Sequence, residues 1–145
     1  TAPGGARWHG ARAHARSTEA VGPASCPVIL VDTSVWVDHL RRGNARLSEL
    51  LNEGAVLGHS FVVGELACGS LRNRVGILAL LGELPQATSA SHGEVMSVVE
   101  SRRLMGRGLG YVDVHLLASA MLHGATLWTL DKRLAETSRA LGIGS

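Results

Sequence analysis

From Val28 onward the chain alternates short, wholly apolar runs with longer stretches of helical period. Val28-Ile29-Leu30-Val31 is an apolar run suited to a strand buried on both faces. Ser34 is positioned to cap a helix running through Trp36 to about Arg42, where Gly43-Asn44 breaks the pattern. Leu47, Leu50 and Leu51 mark a second helix ending at Gly54, and residues 55–57 read as a second strand. Ser60 opens a helix carrying Phe61, Val62, Glu65, Leu66 and Cys68. Residues 74–84 repeat the helical period through Ile77, Leu80, Leu81 and Leu84, with Val75 and Leu78 widening the stripe until Pro85 stops it. Further helices are predicted over 91–105, 112–123 and 132–141, with a Gly106/Gly108/Gly110 loop and a strand-like 126–129 between them. Strands alternating with helices specify an α/β domain with a parallel sheet, whose ligands bind beyond the carboxyl ends of the strands.

Residues 1–27 lack any such period and are rich in Gly, Ala, Arg, His and Ser, so they read as a flexible tail outside the fold, leaving 28–145 as the domain. That division also locates the charge. The net +2 of the chain resides in the tail, where Arg7, Arg12 and Arg16 face Glu19 alone; residues 27–145 then hold 11 basic and 11 acidic groups, from totals of 14 and 12. The domain is therefore no broad basic surface, and nucleic-acid contacts must come from local groups such as Arg41/Arg42/Arg46, Arg72/Arg74 and Arg102/Arg103/Arg107. Two cysteines, Cys26 and Cys68, make neither a disulfide framework nor a metal spacing. With no apolar run near the length of a membrane span, a cytoplasmic protein without membrane contact is expected.

Four of the twelve acids occupy unusual positions. Asp32 follows the most apolar strand directly, and Asp131 stands just past the strand-like 126–129, so both fall at strand carboxyl ends. Glu65 shares a helix face with Phe61 and Cys68; Asp113 leads the stripe Leu116, Leu117, Ala120, Met121. Both are thus expected to point to the core side of their helices. Buried carboxylates without partners are costly, and crowding raises their pKa values. With Lys132 the sole lysine, a divalent cation is the economical partner, and magnesium suits a loose ring of oxygen ligands. Each acid also has an ordinary explanation, Asp32 as a helix cap or Asx turn and Asp113 as a favourable charge at a helix N-terminus. The seven histidines show no zinc spacing and are taken as structural or surface groups.

These segments resemble the PIN-domain family. Val28-Ile-Leu-Val-Asp32-Thr33-Ser34 is similar to its opening motif and Phe61-Val-Val-Gly-Glu65-Leu-Ala to its second. Gly108-Leu-Gly-Tyr-Val-Asp113-Val-His-Leu-Leu-Ala-Ser matches the third, and Leu127-Trp-Thr129-Leu-Asp131-Lys-Arg-Leu the fourth. Four motifs stand in register across 28–141, closest to the VapC-type toxins of VapBC toxin–antitoxin pairs. The resemblance implies a three-layer α/β/α sandwich with a central, mostly parallel sheet. It implies a Mg²⁺ or Mn²⁺ site of Asp32, Glu65, Asp113 and Asp131, with Thr33 or Ser34 and Thr129 as hydroxyls holding water or substrate phosphate. It also implies a homodimer, an RNA substrate such as tRNA or rRNA, and a VapB-type antitoxin covering the acidic pocket. Some relatives carry a further acid beside the fourth motif, where this chain has Lys132 and Arg133, which leaves the number of metals open.

An all-carboxylate pocket suits metal-assisted hydrolysis of a phosphodiester, because a bound cation lowers the pKa of water far below about 15.7. Asp32, Asp113 and Asp131 are assigned as ligands and Glu65 as the group that orients or deprotonates the attacking water. The wide stripe of residues 74–84 fits either a buried helix or a docking surface for a second copy or an antitoxin. Two other readings stand beside the nuclease. One is a phosphohydrolase with an aspartyl nucleophile, which would want a second Asp where Ser34 stands; the other is a non-catalytic RNA-binding module on the same fold.

Overall fold

The computed structural model describes residues 27–145; apart from Pro27, the expected tail lies outside them. Three parallel strands, β1 (Ile29–Val31), β2 (Val56–Leu57) and β3 (Thr126–Trp128), form a sheet in the order β2-β1-β3. Single bridges extend it at both edges, Gly58 to Gln86 and Leu127 to Gly144. The segments after Pro85 and at the end of the chain thus add short edges that their own pattern does not announce.

Seven helices surround this sheet among the described residues, in the α/β/α arrangement expected: α1 (Thr33–Arg42), α2 (Ala45–Asn52), α3 (Ser60–Ala67), α4 (Arg74–Glu83), α5 (His92–Ser101), α6 (Tyr111–His123) and α7 (Lys132–Ala140). The strands Leu30-Val31 and Leu127 are fully buried, as a doubly covered sheet requires. Helix α6 is the central helix, with Val114 through Ala120 buried without interruption. Gly124, at φ +71°, ends it in the left-handed conformation that glycine adopts without strain, and β3 begins two residues later.

Three boundaries differ from expectation. The cap of α1 is Asp32, with Ser34 inside the first turn, because the strand ends in extended backbone at Asp32 and the helix starts at once. Helix α5 stops at Ser101 rather than near 105. Arg103 takes φ +54°, and the Leu104 N–H reaches back to the Val99 carbonyl at 3.0 Å, a Schellman closure that buries Leu104. The third strand ends at Trp128, one residue before Thr129.

Helix α4 is only half covered. Leu81 is buried, Ile77, Leu78 and Leu80 are intermediate, and Val75 is 83% exposed. A groove of about 720 Å³ opens between α1, α3 and α4, lined by Trp36, Leu40, Leu66, Ile77 and Leu80, with Thr33 and Glu65 at its border. No helix among the described residues is long and apolar enough to cross a membrane.

Candidate active site

Parallel strands deliver their carboxyl ends to one edge of the sheet, and the four acids gather there by different routes. Asp32 leaves β1 and Asp131 follows β3, each as the N-cap of the next helix. Asp131 Oδ1 accepts from the Leu134 N–H at 2.9 Å. Asp113 is the third residue of α6, where its Oδ2 accepts from the Gly110 N–H at 2.9 Å. Three of the four therefore sit at helix N-termini, where the dipole favours negative charge. The ordinary capping roles and the acidic cluster are thus realised together by the same residues. Glu65 alone comes from mid-helix, on α3.

Only Asp32 is buried, at 7% exposure. Asp113 is half-buried, whereas Glu65 and Asp131 are exposed, which corrects the expectation that Glu65 and Asp113 point into the core. The apolar neighbours on their helices do pack inward, but these two carboxylates lie at the border of that face, next to solvent.

The hydroxyls are tied to the acids. The Asp131 N–H donates to Thr129 Oγ1 at 3.0 Å, and Thr129 Oγ1 donates to Asp32 Oδ2 at 2.7 Å. In parallel, the Leu130 N–H donates to Ser34 Oγ at 2.9 Å, and Ser34 Oγ donates to the same Asp32 oxygen at 2.7 Å. A backbone donor at each hydroxyl oxygen turns the hydroxyl proton toward Asp32. Two relays thus converge on Oδ2, leaving Oδ1 without a hydrogen bond from any described residue. Thr33 Oγ1 donates to Glu65 Oε1 at 2.6 Å and joins α1 to α3 across the site. In this arrangement the three hydroxyls expected to hold water or phosphate each donate to a carboxylate.

Asp113 registers the crowding. Its carboxyl is pushed above the usual range, first by burial and then by the charges of Asp32, Asp131 and Glu65, with the Gly110 hydrogen bond opposing. None of the four acids forms an ion pair with a described residue. No three His, Cys, Asp or Glu side chains among the described residues stand close enough to hold one metal ion. The acids are in electrostatic reach of one another but not drawn to ligating distance. A hard divalent cation nevertheless fits the donor chemistry: every donor is an oxygen, like charges accumulate uncompensated, and two of the carboxylates, Glu65 and Asp131, are exposed with one oxygen each left without a described partner.

Of the arginine groups picked from sequence, Arg41 and Arg72 line the groove that Thr33 and Glu65 also line. Arg42 pairs with Asp38 at 2.6 Å, and Arg46 lies 4.3 Å over the Trp128 ring. What the pattern missed is a column of imidazoles and aromatic rings between α3 and α6. His59 Nε2 meets Ser119 Oγ at 2.9 Å, Phe61 lies 5.4 Å from His59 and 4.3 Å from His115, and Tyr111 stands 4.7 Å from His115. The i, i+4 spacings of Tyr111/His115/Ser119 were the available signal.

The PIN domain family matches residues 29–140. "Ribonuclease VapC32" of Mycobacterium tuberculosis is 50% identical over 117 residues, which cover 80% of this chain and 94% of that protein, in both strain CDC 1551 / Oshkosh and strain H37Rv. Among solved structures, the crystal structure of PAE2754 from Pyrobaculum aerophilum superposes with a TM-score of 0.51 at 16% identity, over 76% of this chain and 78% of that one, a likeness of fold. The parallel sheet, the acids at its carboxyl edge and half identity to a VapC protein over nearly its whole length agree: the chain belongs to the PIN-domain family, among its VapC-type members.

Proposed function

We propose that this protein is a metal-dependent endoribonuclease whose reaction is carried by Asp32, Glu65, Asp113 and Asp131. Ribonuclease action follows from the VapC membership and the identity to "Ribonuclease VapC32". The observation that carries the assignment of residues is their placement: Asp32 and Asp131 follow the carboxyl ends of the paired strands β1 and β3, Thr33 ties Glu65 to the same edge, and Asp113 opens the helix that precedes β3.

Asp32, Asp113 and Asp131 would hold Mg²⁺, with Mn²⁺ as a substitute. When bound, the cation supplies an acidified water and offsets charge on the transferring phosphate. The protein does the rest. The relays through Ser34 and Thr129 fix Asp32 by one oxygen and leave the other without a hydrogen bond from a described residue. Glu65, exposed and oriented by Thr33, takes the proton of the attacking water. Attack by water rather than by the ribose 2′-hydroxyl gives a 5′-phosphate and a 3′-hydroxyl, and the substrate class we favour is structured RNA such as tRNA or rRNA.

The half-covered groove beside α4 supports docking of a further chain, since its border includes Thr33 and Glu65. A VapB-type antitoxin segment lying there would reach the acids, and the exposed Val75 end of α4 suits a second copy. Exposure of total bacterial RNA to the protein with Mg²⁺, with EDTA, and with Asp32→Asn tests the central reading. Discrete fragments that need both the ion and Asp32 support it. Fragments ending in a cyclic phosphate, or cutting that ignores EDTA, would overturn it.

A further inference from the structure

Tyr111 opens α6 two residues before Asp113, and its ring is held from several sides. Its hydroxyl meets His92 Nδ1 at 2.7 Å, and its ring stands edge-on to His115 at 4.7 Å. His115 is buried and rests in turn on Phe61 at 4.3 Å. The column behind Tyr111 is therefore packed from the core outward, yet Tyr111 itself remains 48% exposed. Trp36 and Trp128 are buried and Phe61 half-buried, so Tyr111 is the most open of the Phe, Tyr and Trp rings among the described residues. A hydrogen bond from Tyr111 to an exposed His92 does not need an aromatic ring left open two residues from Asp113.

A cation stands nearby. Gly108, at φ +76°, lies so close to Arg133 that a Cβ there would come within 2.5 Å of the guanidinium Nη1. Lacking that carbon, the loop seats the Arg133 side chain, which has no hydrogen bond or ion pair with another described residue. Gly108 and Tyr111 are three residues apart, at most about 11 Å between Cα atoms. A packed aromatic ring and a guanidinium without a described partner thus stand two residues from Asp113 and two residues from Asp131 along the chain.

We propose that Tyr111 is a stacking platform for one unpaired base of the RNA, with Arg133 meeting the adjoining phosphate. The inference rests on the reading of this chain as an enzyme acting on RNA. Every base has a π face, so stacking recognises a splayed base without selecting its identity. A ring already immobilised by His92 and His115 loses little freedom when a base covers it. Placed in the first turn of α6, it sets which phosphodiester faces Asp113.

Binding in EDTA separates this subsite from the cutting reaction. The probes are an oligouridylate of about ten nucleotides, within the usual ~4–16-nucleotide span, and an equally long ribose-phosphate oligomer without bases. Wild type should hold the base-bearing oligomer roughly 5- to 150-fold more tightly. Tyr111→Phe should keep most of that ratio, while Tyr111→Ala and Tyr111→Leu should bring it to about 1. Arg133→Gln should weaken both oligomers alike and leave the ratio in place. Tyr111→Leu keeps apolar packing on His115 and guards against a variant that fails to fold. A wild-type ratio of about 1, a ratio unchanged in Tyr111→Ala, or a Phe variant as weak as Ala would overturn the platform; the last would make Tyr111 a hydroxyl staple to His92. Loss of RNA cutting with the ratio intact would strike the acidic site instead.

Discussion

Helices α3 and α6 each carry two kinds of ionisable group, and they treat them oppositely. At the sheet edge, Glu65 and Asp113 join Asp32 and Asp131 where backbone N–H groups and hydroxyls donate to carboxylate oxygens. Two residues farther along α6, His115 is buried, as is His59, the N-cap of α3, and burial holds both imidazoles below their usual pKa. A smaller push comes from His115 on His59 and from His92 on His115. One cluster gathers like charge and leaves it open to a cation; the other removes charge by excluding water. The difference lies in what surrounds each group, since donors of hydrogen bonds at helix ends sustain a carboxylate and apolar packing disfavours an imidazolium.

The largest expected effect separates stability from activity at the acidic edge. Asp113→Asn should lower RNA cleavage at least about a hundredfold, through loss of a charge needed in the reaction. The same substitution should raise the melting temperature in EDTA, because the fold disfavours the ionised Asp113 that Asn replaces with a neutral isostere. Calorimetry and a cleavage assay on the one variant check both signs. A destabilised variant would mean that the Gly110 hydrogen bond outweighs burial and repulsion together.

Next comes the ion. At a Mg²⁺ concentration about 100 times its Kd, binding to the folded state contributes about 2.7 kcal/mol, enough to raise the melting temperature by several degrees. The rise should shrink in Asp32→Asn. An equal rise in both proteins would place the ion away from these acids.

Thr129→Val tests the relay. It removes the donor to Asp32 and the acceptor of the Asp131 N–H, so a loss of about 1–3 kcal/mol is expected in urea unfolding, together with slower cleavage. Ser34→Ala likewise removes one donor to Asp32 and the acceptor of the Leu130 N–H, but Leu130 is exposed and its N–H can turn to water, so the cost should be smaller.

The smallest effect concerns the imidazole column. Because the folded pKa values of His59 and His115 lie below about 6.5, the unfolded chain binds more protons just below that pH. Stability from these groups is complete above about pH 6.5 and is lost as the pH falls through it. His115→Phe should flatten that acid limb and stabilise by about 1 kcal/mol, since the buried Nδ1 has no hydrogen-bond partner. Melting curves between about pH 5 and 8 would reveal a limb that His115→Phe leaves unchanged if other groups dominate.

Helix and strand positions were legible because they rest on neighbours in sequence: the apolar run before Asp32, the stripe behind Asp113, the stop at Pro85. The four acids stood out for the same reason, as charges beside apolar periods. Their orientation did not, because a period of 3.6 places a side chain on a face but not at its solvent border. Thus Glu65 and Asp131 proved exposed.

By itself, then, the sequence determined the alternation of strands and helices, the acids at strand and helix ends, and the resemblance of the four motifs to one family. Only the tertiary structure decided the strand order, the added edges at Gln86 and Gly144, and the seat of Arg133 on Gly108. It also decided that Thr129 bonds Asp32 across 97 residues and that Thr33 bonds Glu65 across 32. The reason is physical: local pattern records which face of an element is apolar, whereas pairing between distant polar atoms depends on how those faces pack.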